Sequence, residues 1–167
     1  MTSNHANDGR QFEVTLERIC RIYAERRLAR FCKTEPPTRT FGTSFNRKVI
    51  YLPNPFLDYA GCISSMGNRA AFWEAKSTSE PTLPCGDKGG FSLSQREAIA
   101  DWRKAGAASW LLWQYKGACR IYFHGMILAG LEERRSLVWD DGMEVPAGNG
   151  WLIYDFMAVV KRYEAQL

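Results

Sequence analysis

Histidine is nearly missing: His5 and His124 are the only two in 167 residues. A His-rich metal centre or a Ser-His-Asp triad would have almost no material to work with. Cysteine is present but unpatterned. Cys20, Cys32, Cys62, Cys85 and Cys119 are odd in number and never form a CxxC pair. That argues against a disulfide framework or a zinc knuckle, and it suits a reducing cytoplasm. No stretch approaches the roughly 18 apolar residues of a membrane span, and the start lacks a signal-peptide layout. Internal repeats and low-complexity tracts are absent too. The expectation is a soluble, untargeted cytoplasmic protein.

What is there is globular in composition. Apolar residues make up 46% and charged residues 24%, and the length suits one domain behind a polar tip, residues 1–9, that frays. The net charge of +4 is unevenly spread. Residues 1–50 hold ten Lys/Arg against five Asp/Glu, whereas residues 51–167 hold twelve against thirteen. A basic first third beside a near-neutral body points to a polyanion partner held on one surface. A solvated basic helix without a partner would give the same counts.

Apolar residues Phe12, Leu16, Ile19, Cys20, Tyr23 and Leu28 recur at spacings of three and four, which predicts an amphipathic helix over Gln11–Phe31. Asp8 and Gln11 are placed like its cap and N3 partner, and Glu35-Pro36-Pro37 stops it. Strands are expected at Lys48–Leu52, Phe56–Ser64 and Arg69–Ser77, the last two joined through Ser65–Asn68. A loop follows over Ser79–Gly90, then a helix over Ser92–Ala105 closed by Gly106. Two strands, Ser109–Tyr115 and Cys119–His124, flank a tight Lys116-Gly117-Ala118 turn. Residues 131–150 are charged and broken by Gly and Pro, and Asp140-Asp141-Gly142 is a poor calcium loop, read as a turn. Leu152–Ala165 reads as a closing helix. The order is α-β-β-β-α-β-β-α.

Chemistry concentrates in Phe72-Trp73-Glu74-Ala75-Lys76. On a strand, Glu74 and Lys76 share a face while Trp73 and Ala75 take the other. Burying a carboxylate and an ammonium in an apolar strand is costly unless they have partners. Asp58 lies one hairpin earlier, and pairing of the two strands brings it beside Glu74. Two carboxylates that close repel, and a hard divalent cation removes the conflict. The pattern fits metal-assisted phosphodiester hydrolysis, with Lys76 orienting the attacking water or balancing charge. An ordinary Asp/Glu/Lys ladder on an exposed face is the alternative.

The string Asp58-Tyr59-Ala60-Gly61, then Phe72-Trp73-Glu74-Ala75-Lys76-Ser77-Thr78, then Phe91-Ser92-Leu93-Ser94-Gln95 resembles the RecU-type Holliday junction resolvases of the PD-(D/E)xK nuclease superfamily. The resemblance covers about residues 9–125. It departs in lacking the leading Pro, since Phe56-Leu57 precede Asp58, and in a longer loop over 79–90.

The resemblance implies a restriction-endonuclease-like α/β fold: an αβββαβ core whose mixed central sheet is flanked by helices. Residues 10–167 would form one nuclease domain, with 38–56 as an arm at the junction and 79–90 beside the site. Asp58, Glu74 and the Ala75 carbonyl would hold Mg²⁺, with Mn²⁺ able to substitute, and Lys76 would position water.

Gln95 has two readings. Ser92-x-x-Gln95 fits a capping box, yet Gln95, Ile99 and Trp102 form the core-facing stripe, which suits a site role. Glu13 matches an acidic residue that nucleases of this fold place near the metal, although helix solvation beside Glu17 explains it equally. Thr78 continues the strand and would hydrogen-bond near the site as a DNA contact, although a β-branched strand end explains it equally. Arg39, Arg47 and Lys48 fall in the arm, and Arg18, Arg21 and Lys88 could hold phosphates.

The implied function is a homodimeric, metal-dependent endonuclease that resolves four-way DNA junctions by paired symmetric cuts in recombination and repair. A bacterial or phage-infected cytoplasm would be its setting. Two alternatives stay open: the same nuclease acting on flaps, nicked or duplex DNA, and a non-catalytic DNA-binding module.

Overall fold

The computed structural model describes residues 5–35, 38–41, 46–51, 57–86, 89–133, 136–148 and 152–166. In chain order the elements are α1 (His5–Glu25), β1 (Arg30–Lys33), β2 (Thr38–Phe41), β3 (Lys48–Tyr51), β4 (Tyr59–Ile63), β5 (Arg69–Thr78), β6 (Thr82–Gly86) and β7 (Gly89–Gly90). Then come α2 (Leu93–Lys104), β8 (Ala108–Tyr115), β9 (Ala118–Phe123), α3 (His124–Glu133), β10 (Ser136–Val138), β11 (Met143–Glu144) and α4 (Phe156–Glu164). Short 3₁₀ turns cover Ser64–Met66 and Trp139–Asp141.

The central sheet runs β1-β4-β5-β8-β9-β11. β1, β4 and β5 form an antiparallel meander, α2 crosses over, and β8 returns parallel to β5. The fold is therefore a mixed α/β sheet flanked by helices, in the αβββαβ order of a restriction-endonuclease-like core. Successive residues of β5 and β8 go to opposite faces, Trp73, Trp110 and Leu112 to one and Phe72, Leu111 and Trp113 to the other, so both faces of the sheet are packed. One face meets α1 and α4 through Phe12, Leu16, Tyr23, Trp73, Trp110 and Phe156. The other meets α2 and α3 through Ile99, Leu111, Trp113, Tyr122 and Ile127.

The first helix differs from the sequence expectation. It ends at Glu25, not Phe31, and Asp8 lies inside it rather than at its cap. The stop is a Schellman turn: the Leu28 N–H donates to the Tyr23 carbonyl and the Arg27 N–H to the Ala24 carbonyl. Arg27 takes the left-handed φ of 56° that glycine usually supplies there. The residues assigned to the helix end become β1, in which Phe31 alone is buried. Close approach of β1 to β4 needs Gly61, because a Cβ there would lie 1.9 Å from the Arg30 carbonyl oxygen.

Other boundaries move as well. β4 begins at Tyr59, so Asp58 precedes the strand, and Phe56 lies outside the described residues. The expected loop over 79–90 contains β6 and β7, and β6 pairs with β10 to form a three-stranded sheet. Helix α3 occupies residues that carried no helix expectation. The last helix starts at Phe156 on the Asp155 cap, four residues later than expected. The segment expected to be an arm carries the β2–β3 hairpin, with Arg39 opposite Ile50 and Lys48 opposite Phe41.

Candidate active site

Hairpin register brings the two carboxylates together. Tyr59 pairs with Trp73, so Asp58 falls opposite Glu74 at the mouth of the β4–β5 ladder. Each backbone is tied to the other's side chain. The Asp58 N–H donates to Glu74 Oε2 at 3.2 Å, and the Ala75 N–H donates to Asp58 Oδ2 at 3.1 Å. A strand residue's N–H and C=O leave from the same edge. The Ala75 carbonyl therefore also faces the Asp58 side.

Glu74 is 1% exposed, an unusual place for a carboxylate. Lys76 Nζ sits 2.8 Å from Glu74 Oε1, and Gln95 Nε2 donates to the same oxygen. Burial raises the Glu74 pKa from 4.5 to about 7, with Asp58 adding to the rise and Lys76 opposing it. The site thus holds a carboxylate whose charge is poorly tolerated without a further cation.

Gln95 makes both the capping box and a hydrogen bond to Glu74. The Ser92 N–H donates to Gln95 Oε1 at 3.0 Å, and the Gln95 N–H donates to Ser92 Oγ at 3.3 Å, closing the capping box. The other end of the same amide reaches Glu74. Ile99 is buried on the same stripe, and Trp102 stacks on Phe72 with ring centroids 3.7 Å apart. Helix α2 is thereby fixed in rotation, with its N-terminal amide over the carboxylate.

Glu13 does not join Asp58 and Glu74. Its carboxylate is held 2.6 Å from Lys33 Nζ on β1, and both side chains are well exposed. Among the described residues there is no cluster of three His, Cys, Asp or Glu side chains placed to share an ion. The Thr78 hydroxyl donates to the Glu80 carbonyl at 2.7 Å and accepts from Trp113 Nε1 at 2.8 Å. Its visible role is to anchor the end of β5. Arg18, Arg21 and Arg47 are exposed. Arg39 and Lys48 are placed by backbone on the hairpin, and Lys88 lies outside the described residues.

Sequence reasoning missed Lys33. It pairs in register with Tyr59, and the Thr34 N–H donates to the Asp58 carbonyl at 2.8 Å. Phe31 follows Leu28 at helical spacing, so the sequence carried no signal that a strand begins at Arg30.

No family model matches the chain, and no curated protein is similar to it in sequence. Among solved structures, the chain is similar to Hjc of Archaeoglobus fulgidus, a Holliday junction resolvase from an archaeal hyperthermophile. The TM-score is 0.47 at 16% identity, covering 77% of this chain and 94% of that one.

Proposed function

We propose that this chain is a metal-dependent DNA endonuclease and that its substrate is the four-way junction. The observation that carries the chemistry is Glu74, buried opposite Asp58 and held by both Lys76 and Gln95. A surface ladder would leave these groups in water; here the carboxylate is enclosed and positioned.

The donor set fits a hard divalent cation. It is all oxygen, two carboxylates and the Ala75 carbonyl, and Mg²⁺ is commonly bound through one or two carboxylates with water completing the shell. Burial, and after it the repulsion from Asp58, raises the Glu74 pKa, and a bound divalent ion would offset both. Bound there, it would supply Lewis-acid polarisation of a phosphodiester oxygen and acidify a water molecule. Lys76, whose ammonium lies 2.8 Å from Glu74 Oε1, would orient the attacking water and balance the developing negative charge. Gln95 holds the Glu74 rotamer, and Asp58 is fixed by the Ala75 N–H. Pre-set geometry of this kind saves reorganisation during reaction.

The junction as substrate is supported by the motif resemblance, by the basic first third of the chain and by the hairpin that bears Arg39 and Lys48. A four-way junction has near-twofold symmetry, so a homodimer with two sites would cut two strands alike. Asp58→Asn and Glu74→Gln should each reduce cleavage to background while junction binding stays measurable. Wild-type cutting by either variant would remove the carboxylates from the mechanism.

A further inference from the structure

Helix α3 is apolar where a surface helix is normally charged. From His124 to Leu131 it carries no Asp, Glu, Lys or Arg. A helix that is apolar all round belongs in an interior, because none of its faces prefers water. Only one side of α3 has an interior to occupy. Ile127 and Gly130 are buried and Leu131 packs against the same cluster as Ile127, whereas Gly125, Leu128 and Ala129 are exposed. Those three fall at i, i+3 and i+4, a single stripe along the helix. Gly125 is not called for by this chain's own packing, since a Cβ there would meet nothing within 4 Å. Glycine weakens a helix, and what it offers in return is room for close approach.

Beside the stripe, α2 and α3 enclose a groove of about 160 Å³, lined by Leu93 and Ala100 of α2 and by Ile127, Leu128 and Leu131 of α3. Small-molecule pockets run from about 300 to 1,000 Å³, so this groove suits an inserted side chain and not a ligand. Leu93 and Leu128 are each 48% exposed on it. The charges around it are self-complementary. Burial, and then Lys104 and Arg103 in the last turn of α2, lower the His124 pKa, so both cations lie near the start of α3. Arg103 is engaged by Glu164, but Lys104 has only an exposed 3.3 Å contact to Asp101. At the other end of α3, Glu132 is exposed and has no ion pair among the described residues. A basic start and an acidic end add to the helix dipole, so two such helices attract when they cross antiparallel.

We propose that this face is where two copies of the chain meet, α3 crossing the partner's α3 antiparallel about a twofold axis near Gly125–Ala129. Leu128 of each copy seats in the other's α2–α3 groove, and Glu132 meets the partner's Lys104. A second copy supplies at once an apolar stripe, a leucine for the groove and the opposite charge at each end. Helix α2 also carries Gln95 to Glu74, so the contact would join two candidate sites through their own helices. The nuclease reading above supplies the need for two copies, and in that respect the proposal rests on it, while the surface is read from α3 itself.

The test is sedimentation velocity of the full chain over a concentration series, with junction cleavage in Mg²⁺ run on the same samples. Wild type is expected to dimerise. Leu128→Glu should raise the dissociation constant at least about tenfold and leave the circular dichroism spectrum unchanged. Ile153→Glu, at an equally exposed residue outside α2 and α3, should match wild type. Glu132→Lys and Lys104→Glu should each weaken the dimer several-fold, and the double exchange should restore it. A wild type that is monomeric at every concentration overturns the proposal and leaves the face to a different protein. A dimer indifferent to Leu128→Glu, an equal loss in Ile153→Glu, or single exchanges that the double does not repair overturns it as well. Mg²⁺-dependent cutting in any of those cases leaves the nuclease reading standing. A dimer that meets each expectation and cuts no DNA keeps the interface and removes the nuclease.

Discussion

Glu74 is a cost to the fold at the position where the proposed site would require it. Its pKa is raised from 4.5 to about 7, chiefly by burial. The stability of the proton-bound form is therefore fully present below about pH 4.5 and lost as pH rises through about 7, in total on the order of 3 kcal/mol. Without divalent cation, wild-type melting temperature should fall over that window and Glu74→Gln should flatten the fall. Added Mg²⁺ or Mn²⁺ at pH 8 should raise the wild-type melting temperature and leave Glu74→Gln unmoved. An identical pH profile in the two proteins would contradict the burial argument. Gln95→Ala removes both a cap and a partner of Glu74, and should cost about 1 kcal/mol while slowing cleavage. Gln95→Glu keeps much of the cap but sets a like charge against Glu74, so it should cut more slowly still.

At the scale of elements, the Asp58–Glu74 juxtaposition was legible because hairpin pairing follows simple arithmetic: residues 58 and 74 fall opposite once 59 pairs with 73. Alternation along β5 and the Ser92–Gln95 box were equally local signals. The end of α1 was not legible. Its stop is written in the φ of Arg27, a residue whose type favours helix, so the code for the turn is absent from the sequence. Arg27→Gly should stabilise the protein by about 0.5–1 kcal/mol, read as a higher denaturation midpoint. A loss of stability would mean that the Arg27 side chain supports α1 in some other way. β6, β7 and β10 escaped notice for a different reason. All are short; β6 and β10 pair across some fifty residues, which no local pattern records, and β7 is only Gly89–Gly90 folded back on the end of β6. Gly61→Ala drives a methyl into the Arg30 carbonyl and should prevent β1 from pairing, seen as loss of soluble folded protein.

On the scale of the whole molecule, the packing has a latch distant from the site. Glu164 at the end of α4, its side chain 1% exposed, is 2.6 Å from Arg69 at the start of β5 and 2.6 Å from Arg103 at the end of α2. Closing helix, central strand and crossover helix meet in that one carboxylate. Glu164→Gln should cost about 1–3 kcal/mol in urea denaturation, since the arginines are partly solvated, and leave the metal response of Glu74 intact. Charge distribution acts on the same scale. Arg47→Ala with Lys48→Ala should weaken junction binding more than duplex binding, whereas equal losses would reduce the hairpin to a general phosphate clamp. The decisive measurement is cleavage of a synthetic four-way junction and a matched linear duplex, each with Mg²⁺ and with EDTA. Paired, symmetric nicks in the junction alone, dependent on Mg²⁺ and lost in Asp58→Asn, are the predicted result. Cutting that survives EDTA, or no cutting of any DNA by protein that binds the junction tightly, would contradict it.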